Sequence, residues 1–180
     1  QCCNRMTAVV VPSQSAKMSL TNTGQVTCPL LVIPEAYSDA INSTILPELP
    51  EFSTPFNFLV FGQLTGNNPE NDRKNIFYTI KWLCEVFKDD KDVGIVLKTN
   101  VGKNTLIDRN MTKNLISAIV HATRRGSAFP KVHLLHGDMN DAEVAALYKH
   151  PQLKGLISLT RGEGYGLPIL EAAASGLPII

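Results

Sequence analysis

The chain has 180 residues, of which 44% are hydrophobic and 18% charged, with 17 basic and 16 acidic side chains for a net charge of +1. That is enough apolar material for one substantial core, and the charge balance gives no basic footprint for nucleic acid or an anionic membrane. No apolar run approaches the roughly 20 residues of a bilayer crossing, and the start QCCNRMTAVVVP lacks the layout of a signal peptide. Cys2, Cys3, Cys28 and Cys84 have neither metal-ligand spacing nor disulfide-scaffold density, which predicts a reducing, cytoplasmic setting and no metal.

In chain order, the branched runs Ala8–Val11 and Leu30–Ile33 flank a polar, weakly helical stretch from Ser13 to Thr23 and predict strand, helix, strand. The four prolines between Pro34 and Pro55 predict a linker. Beyond it, Phe58–Phe61, Val93–Leu97, Val132–Leu135 and Gly155–Leu159 are near-continuous apolar runs, the pattern of parallel strands buried on both faces.

Each run is followed by a helical signal. Ile76, Phe77, Ile80, Cys84 and Phe87 share one helical face, as do Leu115, Ile116, Ile119 and Val120, with Arg124 and Arg125 in the last turn and Gly126 as a stop. Trp82 on the first of these helices is expected to pack against the sheet. Asn140 and Glu143 have capping-box spacing ahead of a helix through Tyr148. A last helix, Leu167–Ser175, has Pro168 near its start and Gly176 beyond its end, and Leu177–Ile180 opens a further strand. Strands alternating with helices predict an α/β fold with an open, doubly wound parallel sheet, Rossmann-like, whose ligands lie beyond the carboxyl ends of the strands.

The loop Thr160–Glu171 is the most informative of those at that edge. Gly162, Gly164 and Gly166 permit close backbone approach, and the helix starting near Leu167 directs free amides and a positive dipole end at the same space, which suits a phosphate. The spacing G-x-G-x-G departs from the dinucleotide pattern, which would need glycine at Leu167, so a nicotinamide enzyme is disfavoured. A plain tight turn with Glu171 as a dipole-favoured acid in the first helical turn accounts for the same residues. Arg73 and Lys74 likewise read either as phosphate ligands or as a solvated pair at a helix start. His136 and Lys98, each at a strand end, are weaker ligand candidates; His121 and His133 read as structural.

Glu163-Gly-Tyr-Gly-Leu-Pro-Ile-Leu-Glu171, continuing to Pro178, resembles the E-x7-E donor-site signature of family 4 retaining glycosyltransferases, whose two-domain architecture is called GT-B. Val9–Gln14, Val32–Pro34, Phe61-Gly62, Arg73-Lys74-Asn75, His136-Gly-Asp138 and Leu147-Tyr148 extend the resemblance over most of the chain. It implies three segments: residues 1–37 as the interdomain crossing, a strand-helix-strand remnant of the first domain; residues 38–55 as linker; and residues 56–180 as the nucleotide-sugar (donor) domain.

The resemblance also implies roles. Glu163 is the catalytic residue beside the donor sugar, together with the amides of Gly164, Tyr165 and Gly166 and the following Leu167. Glu171 accepts hydrogen bonds from the ribose hydroxyls. Lys74, aided by Arg73, neutralises the diphosphate beside Gly62 and stabilises the leaving group, so no metal is needed. Gln63 stands where the family has a second phosphate-binding arginine. The donor would be UDP- or GDP-linked, the acceptor unspecified.

By the same resemblance the sequence is part of a longer enzyme whose N-terminal, acceptor-binding domain lies elsewhere. Alone it is expected to bind nucleotide and transfer little. Its first segment, with open strand edges, is expected to pack differently from the family or to form a homo-oligomer. A non-catalytic nucleotide- or phosphate-binding module, or an interaction domain in which the glycine loop is only a turn, are the alternatives from other functional classes.

Overall fold

The computed structural model describes residues 2–65, 68–124, 126–128 and 130–180. The chain forms two compact units, one of Gln1–Tyr37 with Gly164–Leu167 and one of Ser38–Glu163 with Pro168–Ile180. In the smaller unit β1 (Val9–Val11) and β2 (Leu30–Val32) pair in parallel, Val9 opposite Leu30, joined by α1 (Gln14–Asn22). Ser13 caps α1, its side chain accepting from the Ala16 amide at 3.1 Å.

The larger unit runs β3 (Phe56–Phe61), α2 (Ile76–Val86), β4 (Val93–Lys98), α3 (Leu106–Arg124), β5 (Lys131–Leu135), α4 (Asp141–Tyr148), β6 (Leu153–Leu156), then α5 (Leu167–Ala174), which begins on a residue of the smaller unit. The strands are parallel in the order β5-β4-β3-β6. The chain therefore steps outward from β3 to β5 and returns to the other side of β3. The point of reversal, between β3 and β6, is where an open α/β sheet leaves a crevice at its carboxyl edge.

Strand period and burial agree. Phe58, Val60, Ile95 and Leu97 face one side and pack with Phe77, Ile80 and Leu83 of α2 and Ile116 of α3. Leu59 and Val96 face the other, against Ala145, Leu147 and Tyr148 of α4 and Ala172 of α5. Burying a side chain of this size contributes about 2 kcal/mol relative to leaving it in water, so both faces hold the sheet in place. Below it, at the amino edge, Asn57 is fully buried; its amide donates to the Thr54 carbonyl at 2.7 Å, and Thr54 Oγ1 lies 2.9 Å from His133 Nε2. His133 is thus structural, as its place inside a strand suggested.

The helix signals read from sequence are present in detail. Asn140 and Glu143 complete both halves of the capping box on α4, and α5 stops before Gly176, whose φ of 83° is the left-handed geometry of a helix stop. Leu177–Ile180 joins the sheet edge as a parallel bridge from Ile179 to Leu156.

Two expectations, the sixth strand and Trp82, need correction, and two elements extend what the sequence showed. The sixth strand is Leu153–Leu156, not Gly155–Leu159: the Ile157 amide still reaches the Leu59 carbonyl at 2.8 Å, but the chain then leaves β3, so the apolar run outlasts the strand. Helix α3 starts at Leu106, well before Leu115, because Thr105 caps it through the Asp108 amide and its first turns lie with Leu106 and Ile107 in solvent, without an apolar face to signal them. Arg124 ends it by donating to the Pro130 carbonyl; Arg125 lies outside the described residues. Trp82 does not pack on the sheet but is 45% exposed and stacks on Tyr78 at 5.7 Å. Within residues 38–55, a 3-10 turn at Asp39–Asn42 buries Ile41 in the second core, and Gln152 is bonded to the backbone of Phe52 and Thr54, so this segment belongs to the larger unit's packing. No helix among the described residues is long and apolar enough to cross a membrane.

Candidate functional site

The loop from β3 to α2 is shaped by its own polar groups. Asp72, fully buried, accepts the Ile76 amide at 2.6 Å and the Thr65 hydroxyl at 3.1 Å, and Thr65 in turn accepts the Arg73 amide. Asp72 thereby satisfies an amide at the start of α2 that would otherwise have no partner. Between it and the helix stands Asn75 at φ 57°, ψ 30°, left-handed backbone in a residue that is 7% exposed. Its side-chain Nδ2 donates to the Leu159 carbonyl at 2.9 Å, but nothing among the described residues donates to its Oδ1. Left-handed backbone in a non-glycine residue and a buried oxygen without a donor each cost about 1 kcal/mol or more.

This turn sends Lys74 back across the end of β3. A Cβ at Gly62 would lie 3.1 Å from both Lys74 Cγ and Cδ, so a glycine at the strand end is what lets the lysine stem pass so close. The ammonium reaches Glu163, beyond the end of β6, and donates to both carboxylate oxygens, at 2.7 Å to Oε1 and 2.9 Å to Oε2. The side chains are 14% and 19% exposed, enclosed yet reachable.

The surrounding bonds hold the Glu163 loop against the Arg73 turn. Arg73 Nη1 donates to the Gly162 carbonyl at 2.5 Å and lies 3.5 Å from Glu163 Oε2. The Arg161 amide donates to the Arg73 carbonyl at 2.9 Å, and the Thr160 hydroxyl lies 3.1 Å from both the Arg73 and the Gly162 carbonyl, to either of which it can donate. Burial alone would raise the Glu163 carboxyl; the hydrogen bond and charge of Lys74, with Thr160 and Arg73, outweigh it and hold the group below its ordinary range. Glu163 is therefore an anion at neutral pH, and the crevice presents one carboxylate with two cations beside it.

Glu171 lies apart from that pair. Its Oε2 accepts the Tyr148 hydroxyl at 3.2 Å, with Tyr148 fully buried and its ring 6.0 Å from that of Phe61. Burial pushes the Glu171 carboxyl up, against the Tyr148 hydrogen bond and reinforced by the charge of Asp141; burial and the Glu171 charge push the Tyr148 phenol up as well. Tyr148, part of the resemblance but given no role by it, is a neighbour of Glu171; an apolar face of a helix gives no sign of a hydroxyl partner 23 residues on.

Gln63 does not turn into the crevice: its amide donates to the Val101 carbonyl at 3.2 Å. Gly164, Tyr165, Gly166 and Leu167 belong to the smaller unit, where Gly166 is buried with φ 90° and Tyr165 is half-buried.

The other candidates cluster past β4 and β5. His136 Nε2 lies 2.8 Å from Asp108 Oδ2, with both side chains over 90% buried. Lys98 donates to the Gly137 carbonyl, and burial pushes its amine down against the charges of Asp138 and Glu143. Asn104 donates to Asp138. These groups are occupied in fastening two loops together. The four cysteines are free thiols, and among the described residues no group of three or more His, Cys, Asp or Glu is arranged to hold a metal ion.

No protein-family model matches the chain, and no curated protein matches it. Solved structures do. TarM superposes with a TM-score of 0.60 at 16% identity, over 98% of this chain and 30% of TarM. The C-terminal domain of a glycosyl transferase group 1 family protein (LpcC) from Francisella tularensis gives 0.50 at 20% identity, over 70% of this chain and 57% of that one. A trehalose-6-phosphate structure from E. coli, bound with UDP-2-fluoro glucose, gives 0.62 at 13% identity, over 94% of this chain and 43% of that one. The fold is that of the C-terminal, Rossmann-like half of GT-B glycosyltransferases. At 13 to 20% identity the likeness is one of fold, and the chain spans 30 to 57% of the length of these three structures.

Proposed function

We propose that this chain is the donor-binding part of a retaining, nucleotide-sugar-dependent glycosyltransferase of the hexosyl type, in the E-x7-E group called family 4. The observation that carries the reading is the Lys74–Glu163 pair, enclosed at the carboxyl edge where β3 and β6 diverge. The glycosyltransferase fold of the neighbours, one of them bound to UDP-2-fluoro glucose, supports the same reading.

In this reading a UDP- or GDP-linked sugar lies across the crevice. Lys74, with Arg73 beside it, faces the diphosphate and stabilises the charge that grows on it as the sugar leaves, a preorganised cation in a partly dehydrated site. That charge does the work a metal ion does in other transferases. Glu163, held as an anion by Lys74, accepts hydrogen bonds from the donor sugar and orients its anomeric carbon. Glu171, its Oε2 already engaged by Tyr148, offers Oε1 to the ribose hydroxyls. Gln63, bonded to Val101, contributes at most its backbone beside Gly62. The acceptor is bound by a further domain, so this chain alone binds donor and transfers little. Free thiols suit a cytoplasmic setting.

Calorimetric titration with UDP, GDP and ADP and a sugar conjugate of each tests the proposal. One base is expected to bind, more tightly as its sugar conjugate, with the same affinity in EDTA, and Glu171→Ala is expected to abolish it while leaving the fold intact. Failure of a folded chain to bind any of the six compounds overturns the proposal.

A further inference from the structure

Asn75 touches neither Glu163 nor the face of Lys74 that would meet phosphate, yet it is built into both halves of the pair. Its backbone supplies the left-handed turn between Lys74 and α2, with its carbonyl taken by the Thr79 amide at 3.0 Å and the Thr79 hydroxyl at 2.7 Å and its own amide donated to the Asp72 carbonyl at 3.0 Å. Its side chain holds the Leu159 carbonyl, where the chain leaves β6 on its way to Glu163. Glycine would take the left-handed backbone without strain but could not hold Leu159; most other residues would do neither. Asparagine tolerates the conformation and brings a donor, at the expense of an oxygen left without one.

We propose that Asn75 is the positioning residue of the site: its backbone aims Lys74 across Gly62, and its amide fixes the exit of β6 so that Glu163 meets Lys74 with both oxygens. The inference rests on the reading of Lys74 and Glu163 as donor ligands only for its effect on nucleotide. The geometry of the pair itself is a property of the folded chain.

The two functions of Asn75 separate by substitution. In Asn75→Gly the left-handed turn survives and the tie to Leu159 is lost; in Asn75→Ala both are compromised. The Glu163 carboxyl, followed by carbon-detected NMR against pH in the 180-residue chain, is expected to move up towards its ordinary value in both variants, furthest in Asn75→Ala. This readout needs no ligand. A Glu163 titration unchanged in both variants overturns the proposal.

With nucleotide, Asn75→Gly is expected to keep the affinity for bare nucleoside diphosphate and lose the extra affinity for the sugar conjugate. Asn75→Ala is expected to weaken bare diphosphate about tenfold, and that loss should vanish in a Lys74→Ala background, because Asn75 acts through Lys74. A loss that persists in full without Lys74 marks Asn75 as a merely structural residue and overturns the proposal. If the wild-type chain binds no nucleotide, the donor-site reading fails while the NMR result still decides the role of Asn75.

Discussion

Two stretches of one sheet edge carry the same chemical groups to different ends. Past β3 and β6, Lys74, Arg73 and Glu163 meet with 14 to 51% of each side chain in solvent, held in place by backbone carbonyls and amides around them. Past β4 and β5, Asp108 pairs with His136 and Lys98 bonds the Gly137 carbonyl, so there the charged and polar atoms are spent on each other, on backbone and on the loop turns. The first arrangement leaves charge that a ligand can reach; the second is a clasp between loops. The use of the polar atoms separates them, and Asp108 and His136 are besides over 90% enclosed, out of reach of a solute.

Lys74→Ala should have the largest effect at the first stretch, weakening nucleotide about 10- to 100-fold in calorimetry, the scale of a lost charge-assisted contact of about 1.5 to 3 kcal/mol, with little change in melting temperature. Asp108→Ala should do the reverse. It leaves His136 buried without its partner and is expected to lower stability by about 2 kcal/mol in urea unfolding, while the folded fraction binds nucleotide as before. If Lys74→Ala unfolds the chain and Asp108→Ala removes binding, the two assignments are interchanged.

The smallest effect sharpens the contrast through pH. Because the Glu163 carboxyl is held below its ordinary value of 4.5 in the folded chain, its pairing contributes stability that is complete above that value and is lost as pH falls through the depressed one. The contribution is about 1 kcal/mol, as for a partly exposed ion pair. Urea midpoints of wild type and Glu163→Gln between pH 3 and 7 should converge at the acid end; parallel curves would mean that the pair adds nothing to the fold.

Much of this architecture is written in local sequence. The strands announce themselves through runs such as Val93–Leu97, and α4 and α5 through Asn140, Glu143, Pro168 and Gly176, because the forces that set them act within a few residues. Residue types at the site were also legible: a glycine-rich loop with two acids, and a basic pair ahead of a helix. The pairing was not. Lys74 and Glu163 are 89 residues apart, Tyr148 and Glu171 are 23, and Asp108 and His136 are 28, so each partnership depends on strand order. The first turns of α3 and the exposure of Trp82 escaped for a related reason: both are set by where the neighbouring layer stops, which periodicity along one helix does not report. Asn75 gave no sign because the need for left-handed backbone arises from the three-dimensional path of the turn.

The reversal of strand order between β3 and β6 also fixes when the site comes into being. Pairing Asn57 with Leu153 closes a loop of about 100 residues, at an entropic penalty about 1 kcal/mol greater than that of joining β3 to β4 or β4 to β5, each one helix apart. Folding is therefore expected to raise β3, β4 and β5 with their helices first and to dock β6 last, as non-local contacts generally follow local ones. Lys74 is carried by the early part and Glu163 by the late one. In that order the pair forms only when β6 docks, and nucleotide capture is expected to report on that final step.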